Sequence, residues 1–181
     1  IGTVADIDKA FDRPGVLEKC IDFQTEISVI VARNERGEVM TYPSVELSFH
    51  PEENLVEFLF SPANISKEIE VKAQELAIKV ITKLGMVGLL AIEMFLDKRG
   101  ELLVNEVAPR THNSGHHTIE ANQTSQFEQH LRAVLNLPLG ITKMLIPAVM
   151  VNLLGAPNHT GNPIYEGLSK VMQMPGVHIH L

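Results

Sequence analysis

The stretch GLLAIEMFLDKRGELLVNEVAPR, residues 88–110, is the part of the sequence that decides the fold. Two apolar runs flank the polar segment DKRG (97–100), a pattern that predicts an antiparallel β-hairpin. Glu93 interrupts the first apolar run, and Asn105 and Glu106 interrupt the second. We therefore expect a buried hairpin that carries two carboxylates and an amide.

The register of this hairpin determines whether the two carboxylates meet. With the turn centred on residues 98–99, Glu93 lies opposite Val104, and Ala91 lies opposite Glu106. Glu93 and Glu106 then share a face as diagonal neighbours, with Cα atoms ~7–8 Å apart. Two acids in apolar surroundings repel each other unless a cation lies between them, and oxygen ligands of this kind suit magnesium that carries phosphate. The alternative, in which one acid pairs with Lys or Arg and the other reaches solvent, stays open.

The rest of the chain predicts an α+β fold, because strands, hairpins and helices alternate without an internal repeat. One helix is capped by Ser66 and ends at Gly85. A second opens at the capping box SQFE (125–128) and is expected to turn Phe127, Leu131 and Val134 inward. Strands are expected over residues 27–33, 38–42, 44–49, 54–60, 88–96, 101–107, 147–155 (a buried strand) and 174–181.

Composition excludes several classes of protein. The 181 residues are 45% hydrophobic and 20% charged, and the net charge is −7 with scattered Lys and Arg, so we expect no nucleic-acid partner. No apolar run reaches the ~20 residues that span a bilayer, so we expect no membrane segment. The single cysteine, Cys20, cannot form an intrachain disulfide, which indicates a cytoplasmic location. Because the chain starts at Ile1 instead of Met and ends in an expected strand, we expect a piece of a longer protein.

The segment THNSGHH (111–117) concentrates histidines directly after the second carboxylate. His112 and His116 have the spacing of a zinc pair only on a helix, and a glycine between them and a proline before them favour a loop. A histidine zinc site therefore remains a minor alternative. His117, like His116, is expected to be a surface or turn residue, whereas His112 can take or hold a proton and Arg110 can grip an anion with two hydrogen bonds.

The segment EMFLDKRGELLVNEVAPRTHNSGHHTIEANQTSQFEQHLRAVLNLPLG (93–140) resembles the 5-(carboxyamino)imidazole ribonucleotide synthetases, which are ATP-grasp ligases of purine biosynthesis. The motif N-E-x-A-P-R-x-H-N-S-G-H, and T-S-Q-F-E-Q-H followed by L-P-L-G, carry the resemblance, which runs from about Val16 to the C-terminus. The related formate-dependent glycinamide ribonucleotide transformylases typically have Asp-Thr-Gly where this chain has Asn-Ser-Gly at 113–115. The implied fold is the C-terminal half of the ATP grasp, an antiparallel sheet with packed helices.

The resemblance also implies a role for each matching residue, with ATP and Mg²⁺ as cofactors. The adenine is received by a hinge made of Glu18, Lys19, Cys20 and Ile21. The ribose and triphosphate are held by Glu26, Asn105 and Glu106, and the magnesium by Glu93 and Glu106. The catalytic pair is Arg110 and His112, and the groups expected to bind bicarbonate, carboxyphosphate and the aminoimidazole ring are Arg110, His112, Asn113 and Ser114. Members often have a histidine where this chain has Phe49, so the neighbouring His50 is left out of this set.

The implied reaction is the ATP-dependent carboxylation of 5-aminoimidazole ribonucleotide with bicarbonate through carboxyphosphate, and a homodimer is one expected assembly. The implied division of the chain assigns residues 1–17 to the end of the lid subdomain, 18–156 to the main subdomain and 157–181 to the start of a C-terminal domain. Because no glycine-rich lid is present, we expect these 181 residues alone to be inactive. The transformylase and a nucleotide-binding module without turnover remain alternatives.

Overall fold

The computed structural model describes residues 14–50, 55–155 and 159–181, and the fold is given for those residues. One antiparallel sheet forms the centre, in the strand order β6-β5-β1-β3-β4-β7, and β2 pairs with the end of β1. The strands are β1 (Phe23–Arg33), β2 (Val39–Thr41), β3 (Val45–Phe49), β4 (Val56–Ser61), β5 (Gly88–Asp97), β6 (Leu102–Ala108) and β7 (Ala148–Val151). The helices are α1 (Lys67–Lys83), α2 (Thr118–Ala121), α3 (Gln126–Val134) and α4 (Leu168–Val171), with a 3₁₀ turn at Asn113–Gly115. The predicted α+β class is confirmed.

The core lies on both faces of the central strands β1 and β5. Because both faces are covered, these strands read as nearly continuous apolar runs instead of alternating ones. On one face, helix α1 packs through Ala73, Ala77 and Ile81 against Ile27, Val29, Val31, Leu90, Ile92 and Met94. On the opposite face, Ile30, Ala32, Tyr42, Leu89 and Ala91 form a second cluster, and α3 lies over this side of β5. The two acids of the hairpin belong to the second face.

Helix α1 begins and ends as its sequence predicts. The Ser66 hydroxyl accepts a hydrogen bond from the Ile69 N–H at 3.3 Å, which satisfies one of the free donors of the first turn. Gly85 follows the helix with φ +61°, a left-handed conformation that glycine adopts without strain. Both ends of the helix that covers the sheet are therefore defined by local sequence.

The predicted register of the β5–β6 hairpin is wrong. Leu96 pairs with Leu102 instead of Glu101, because the turn contains three residues and ends on Gly100 with φ +81°. A β-bulge shifts the pairing by one more residue, so that Glu93 lies directly opposite Glu106. The two acids are direct neighbours and not diagonal ones.

Three further expectations need correction. Helix α3 leaves Phe127, Leu131 and Val134 largely exposed, and its buried residues are Gln126, Gln129 and Ala133. Among the described residues, β7 pairs with β4 alone and is an edge strand; it is shorter than predicted, and its side chains alternate between half-buried (Ala148, Met150) and exposed (Val149, Val151). Residues 174–181 do not form a strand and instead follow α4 as a turn and a segment without regular secondary structure. Within the described ranges, no helix has the length and apolar character to cross a membrane.

Burial of α1 against the sheet predicts a contrast between two isoleucines of that helix. Ile81 is fully buried, whereas Ile78 is 39% exposed. Ile81→Ala should lower the free energy of unfolding by about 2–5 kcal/mol, because it removes packed methyl groups and leaves a cavity. The matched change Ile78→Ala should shift it by less than about 1 kcal/mol. Denaturant unfolding of both variants measures the contrast, and equal losses would contradict the packing of α1.

Candidate active site

A β-bulge in β6 places two consecutive polar residues on the same face of the sheet. Val104 pairs with Met94 and Glu106 with Glu93, so Asn105 is the extra residue between them. In a regular strand, neighbouring side chains point to opposite faces. Here the Asn105 amide donates to the Glu26 carboxylate at 3.1 Å, and Glu106 meets Glu93 on that face. The bulge therefore gathers an amide and three acids from three strands.

The carboxylates of Glu93 and Glu106 and the imidazole of His112 form one cluster. One ligand atom from each residue lies within 4.8 Å of the other two. Glu93 is 9% exposed, His112 is partly buried, and Glu106 is open to solvent. The site is therefore buried on the side of Glu93 and open to solvent on the side of Glu106.

Electrostatics make this cluster unfavourable when it contains no cation. Burial, together with the smaller effects of the charges of Glu106 and Glu26, raises the pKa of Glu93 to about 7. Burial also raises the pKa of Glu26, against the hydrogen bond from Asn105. Within the described residues, no lysine or arginine forms an ion pair with Glu93, whose only ionic contact is His112 at 3.7 Å.

The His112 ring is held in one tautomer by its own turn. The Ser114 N–H donates to Nδ1 at 3.3 Å, so Nδ1 carries the lone pair and the neutral ring carries its proton on Nε2, the atom nearest Glu93. Burial lowers the pKa of His112, and the positive charge of Arg110 lowers it further. The imidazole is therefore neutral near pH 7 and does not compensate the acids.

Hydroxyl and amide groups tie the turn to the sheet. The Ser114 hydroxyl lies 3.0 Å from Nδ1 of His112 and 2.9 Å from the buried Ser28 hydroxyl on β1. Asn113 donates to Asn152 Oδ1 at 3.2 Å and bonds the His116 ring at 3.1 Å. These contacts hold the turn between the acid cluster and the end of β7.

The other predicted site residues lie around this cluster. Arg110 is exposed, and its guanidinium donates to the Thr111 carbonyl at 3.0 Å, its one hydrogen bond to the part of the chain that the structure describes. The expected adenine hinge, 18–21, lies in the irregular segment before β1, with Ile21 half-buried and the other three side chains exposed. Part of the hinge lines a hollow of about 340 Å³ together with Asp22, Asp97, Lys98, Arg99 and Leu103, apart from the acid cluster. Glu26 lies nearer the cluster, through its bond to Asn105.

The histidine zinc site is not what the structure builds. Across the described ranges, the one group with metal-ligand spacing combines a single histidine with two glutamates. His117 is instead partly buried, and burial lowers its pKa to about 4. Sequence reasoning did not place His112 beside the acids, and it missed Ser28 and Asn152, whose hydrogen bonds fix the turn. The one sign of Ser28 in the sequence is that it is a polar residue within the apolar run of β1.

The cluster fits a divalent cation with a preference for oxygen. Glu93 and Glu106 offer hard carboxylate ligands, the Asn105 amide lies beside them, and no positive side chain from the described residues neutralises the acids. Magnesium prefers one or two carboxylates and completes its shell with water and phosphate oxygens. Burial and, after it, the charge of the facing Glu106 raise the pKa of Glu93, and a bound cation would offset both effects.

Residues 1–127 match the ATP-grasp domain family. The chain therefore belongs to the ATP-grasp family. Among curated proteins, it is similar to the N5-carboxyaminoimidazole ribonucleotide synthase of Bacillus subtilis, with 52% identity over 140 residues, 77% of this chain and 36% of that protein. It is also similar to the phosphoribosylaminoimidazole carboxylase of Saccharomyces cerevisiae, with 38% identity over 94% of this chain and 30% of the relative. The chain spans about a third of the length of these relatives.

Solved structures give the same family. The N5-carboxyaminoimidazole ribonucleotide synthetase of Thermotoga maritima superposes with a TM-score of 0.83 at 48% identity, over 95% of this chain and 46% of that one. The Aspergillus clavatus N5-carboxyaminoimidazole synthase, solved with ADP and 5-aminoimidazole ribonucleotide, gives a TM-score of 0.72 at 38% identity, over 77% of this chain and 37% of that one. The expected ATP-grasp fold is confirmed.

The raised pKa of Glu93 predicts a pH-dependent stability in metal-free buffer. Between pH 4.5 and about 7, Glu93 is protonated in the folded state and ionised in the unfolded chain. The contribution of the protonated acid to the free energy of unfolding is therefore fully present below pH 4.5, and it is lost as the pH rises through about 7. Glu93→Gln mimics the protonated acid. Its free energy of unfolding should exceed that of the wild type increasingly between these pH values, by up to about 3 kcal/mol. Chemical unfolding at several pH values measures this, with the exposed Glu35→Gln as control. A difference that does not depend on pH would contradict the assignment.

Proposed function

We propose that the protein of which this chain forms part carboxylates 5-aminoimidazole ribonucleotide with bicarbonate and ATP, giving 5-(carboxyamino)imidazole ribonucleotide, ADP and phosphate. The observation that supports this most is the Glu93–Glu106 pair with His112 beside it and Arg110 next along the chain. Membership of the ATP-grasp family and the similarity to N5-carboxyaminoimidazole ribonucleotide synthases support the same activity.

In this proposal, Glu93 and Glu106 hold Mg²⁺, and Asn105 lies beside them near the triphosphate. The ion would supply positive charge to the phosphates of ATP, which bicarbonate must approach as an anion. The nucleotide is held by the hinge residues Glu18, Lys19, Cys20 and Ile21 and by Glu26. We keep the division of the chain at residues 17 and 156, and a cytoplasmic location, as predictions.

Arg110 is the proposed anion clamp. Its guanidinium is exposed and makes no ion pair with the described acids, so it is available to bicarbonate and to carboxyphosphate. A planar guanidinium can donate two parallel hydrogen bonds to the oxygens of such an anion. Stabilisation of charge that develops in the transition state is usually the largest catalytic contribution.

His112 is proposed to hold the carboxyl group during its transfer. The exocyclic amine attacks the carboxyl carbon, a C–N bond forms, the C–O bond to phosphate breaks, and the proton lost by the amine passes to the departing phosphate. The ring has its proton on Nε2 and its lone pair on Nδ1, which the Ser114 N–H occupies. A hydrogen bond from Nε2 to a carboxylate oxygen therefore suits this ring better than the removal of the amine proton. Asn113 and Ser114 remain proposed substrate contacts.

The runner-up is a formate-dependent glycinamide ribonucleotide transformylase. Asn113, Ser114 and Gly115 favour the carboxylase, because the transformylases typically have Asp-Thr-Gly at these positions. An assay of ADP formation by the full-length protein decides between them. Bicarbonate with 5-aminoimidazole ribonucleotide should support turnover, and formate with glycinamide ribonucleotide should not. ATP binding without turnover on either pair would indicate a nucleotide-binding module.

Removal of one proposed metal ligand should abolish most activity. Glu106→Gln keeps the shape of the side chain but removes a charge from the cation site, so kcat should fall about 100-fold or more. Initial rates of ADP formation at varied Mg²⁺ measure this. Glu75→Gln, an exposed acid on α1 across the sheet, is the control and should leave the rate unchanged. Normal turnover by Glu106→Gln would refute the metal site.

A conservative change at the anion clamp should also be severe. Arg110→Lys keeps the charge but loses the two-pronged donor geometry, so kcat/KM for bicarbonate should fall by about 100-fold. Arg36→Lys, in the exposed turn between β1 and β2, should have no effect. If steady-state kinetics showed the same small change for both variants, Arg110 would have a structural role only.

A further inference from the structure

Helix α3 buries two glutamines that make the same pair of hydrogen bonds to different segments. Gln126 and Gln129 are both fully buried. The Gln126 side chain accepts from the His112 N–H at 2.9 Å and donates to the His112 carbonyl at 2.7 Å. The Gln129 side chain accepts from the Gly140 N–H at 2.7 Å and donates to the Gly140 carbonyl at 2.9 Å. Each side-chain amide therefore binds both backbone groups of one residue, as a neighbouring strand would.

The Gln126 side-chain amide is closely packed against the turn that follows β6. A Cβ atom at Gly115 would lie 2.5 Å from Gln126 Oε1 and 2.3 Å from Ile30 Cδ1, so only glycine fits there. The Gln126 N–H donates to the Thr118 hydroxyl at 2.9 Å, and that hydroxyl donates to the Gly115 carbonyl at 2.5 Å. The start of α3 and the turn after β6 are thus locked together.

The residue that Gln126 holds is the one whose ring faces the acids. His112 is extended, with φ −129° and ψ 154°, and it lies beyond the end of β6, where the hydrogen bonds of the ladder have stopped. Its backbone is fixed by Gln126 and its ring by Ser114, which leaves Nε2 3.7 Å from Glu93. Loss of the backbone bonds would free the main chain that aims the ring.

We propose that Gln126 is a positioning residue that fixes His112 beside Glu93 and Glu106 through its backbone and thereby sets the rate of carboxyl transfer. This inference rests on the function proposed above. Gln129 makes equivalent bonds to Gly140, which belongs to the segment after α3 and is not a member of the acid cluster. A comparison of variants at the two glutamines can therefore distinguish the positioning of His112 from a general contribution to stability.

The experiment compares Gln126→Met with Gln129→Met in the full-length protein. Each change removes both side-chain bonds and keeps the side-chain length. Both variants should show similar falls in melting temperature, because they lose equivalent buried bonds. Only Gln126→Met should lower kcat for carboxylation, by about 10- to 100-fold, since a misplaced catalytic group has an effect of this size. The KM for ATP should change less than about threefold in either variant, because the nucleotide-binding residues are untouched.

Two outcomes overturn the proposal. One is an equal loss of kcat in both variants, which would make Gln126 a structural residue. The other is a rise in the KM for ATP as large as the fall in kcat, which would place its effect on the nucleotide. If a methionine variant fails to fold, Gln126→Glu and Gln129→Glu, which are nearly isosteric with glutamine, replace the pair under the same criteria.

A spectroscopic measurement separates this inference from the proposed function. With ¹⁵N-labelled histidine, and His112→Gln to identify the signal, the ring nitrogens of His112 should show Nδ1 without a proton in the wild type. Gln126→Met should change these shifts, and Gln129→Met should not. If the wild type failed to carboxylate 5-aminoimidazole ribonucleotide, the proposed function would be wrong, and the ring shifts alone would judge the positioning role. Unchanged shifts in Gln126→Met would refute it.

Discussion

The antiparallel ladder between β1 and β5 is the interaction on which both the core and the site depend. On one face it carries the apolar residues that α1 covers, and on the other it places Ser28 opposite Glu93. A strand that is buried on both faces accommodates a carboxylate only with compensation. Among the described residues, the ionisable groups that act on or contact Glu93 are Glu106, Glu26 and a neutral His112, and none of them compensates its charge. The ladder thus builds a position that a cation would stabilise.

The shared face of Glu93 and Glu106 was predictable from the sequence, although the register was not. The three-residue turn shifts the pairing by one residue and the bulge at Asn105 shifts it by another. A shift of one residue moves side chains to the opposite face, whereas a shift of two restores them. Because the two shifts add up to two residues, Glu106 stays on the predicted face of the sheet. It becomes the direct partner of Glu93 instead of a diagonal one. Neither the length of the turn nor the bulge has a signal in hydrophobic alternation.

Helix α3 shows why the rest of the site could not be read from the sequence. Apolar spacing favoured burial of Phe127, but the structure buries Gln126 and Gln129. Buried backbone N–H and C=O groups need partners, and the extended segments at His112 and Gly140 obtain them from these two side chains. The demand comes from segments 11 to 14 residues away in the chain, so a local pattern cannot reveal it. A polar residue on the inner face of a helix is here the mark of a loop that needs a partner.

The site consists of a fixed part and an exposed part, and this difference bears on how it would act. Glu93 is buried on the central strand β5, and His112 is partly buried with its backbone and ring held by hydrogen bonds, whereas Glu106 and Arg110 are exposed. Ordering a long exposed side chain such as Arg110 on an anion has an entropic cost of up to ~2 kcal/mol, which the ligand contacts must offset. No such cost applies to His112, because folding has already fixed its backbone and ring. In the proposed function, the fixed part would therefore define where reacting atoms lie, and the exposed part would be completed only when phosphate or carboxylate groups bind.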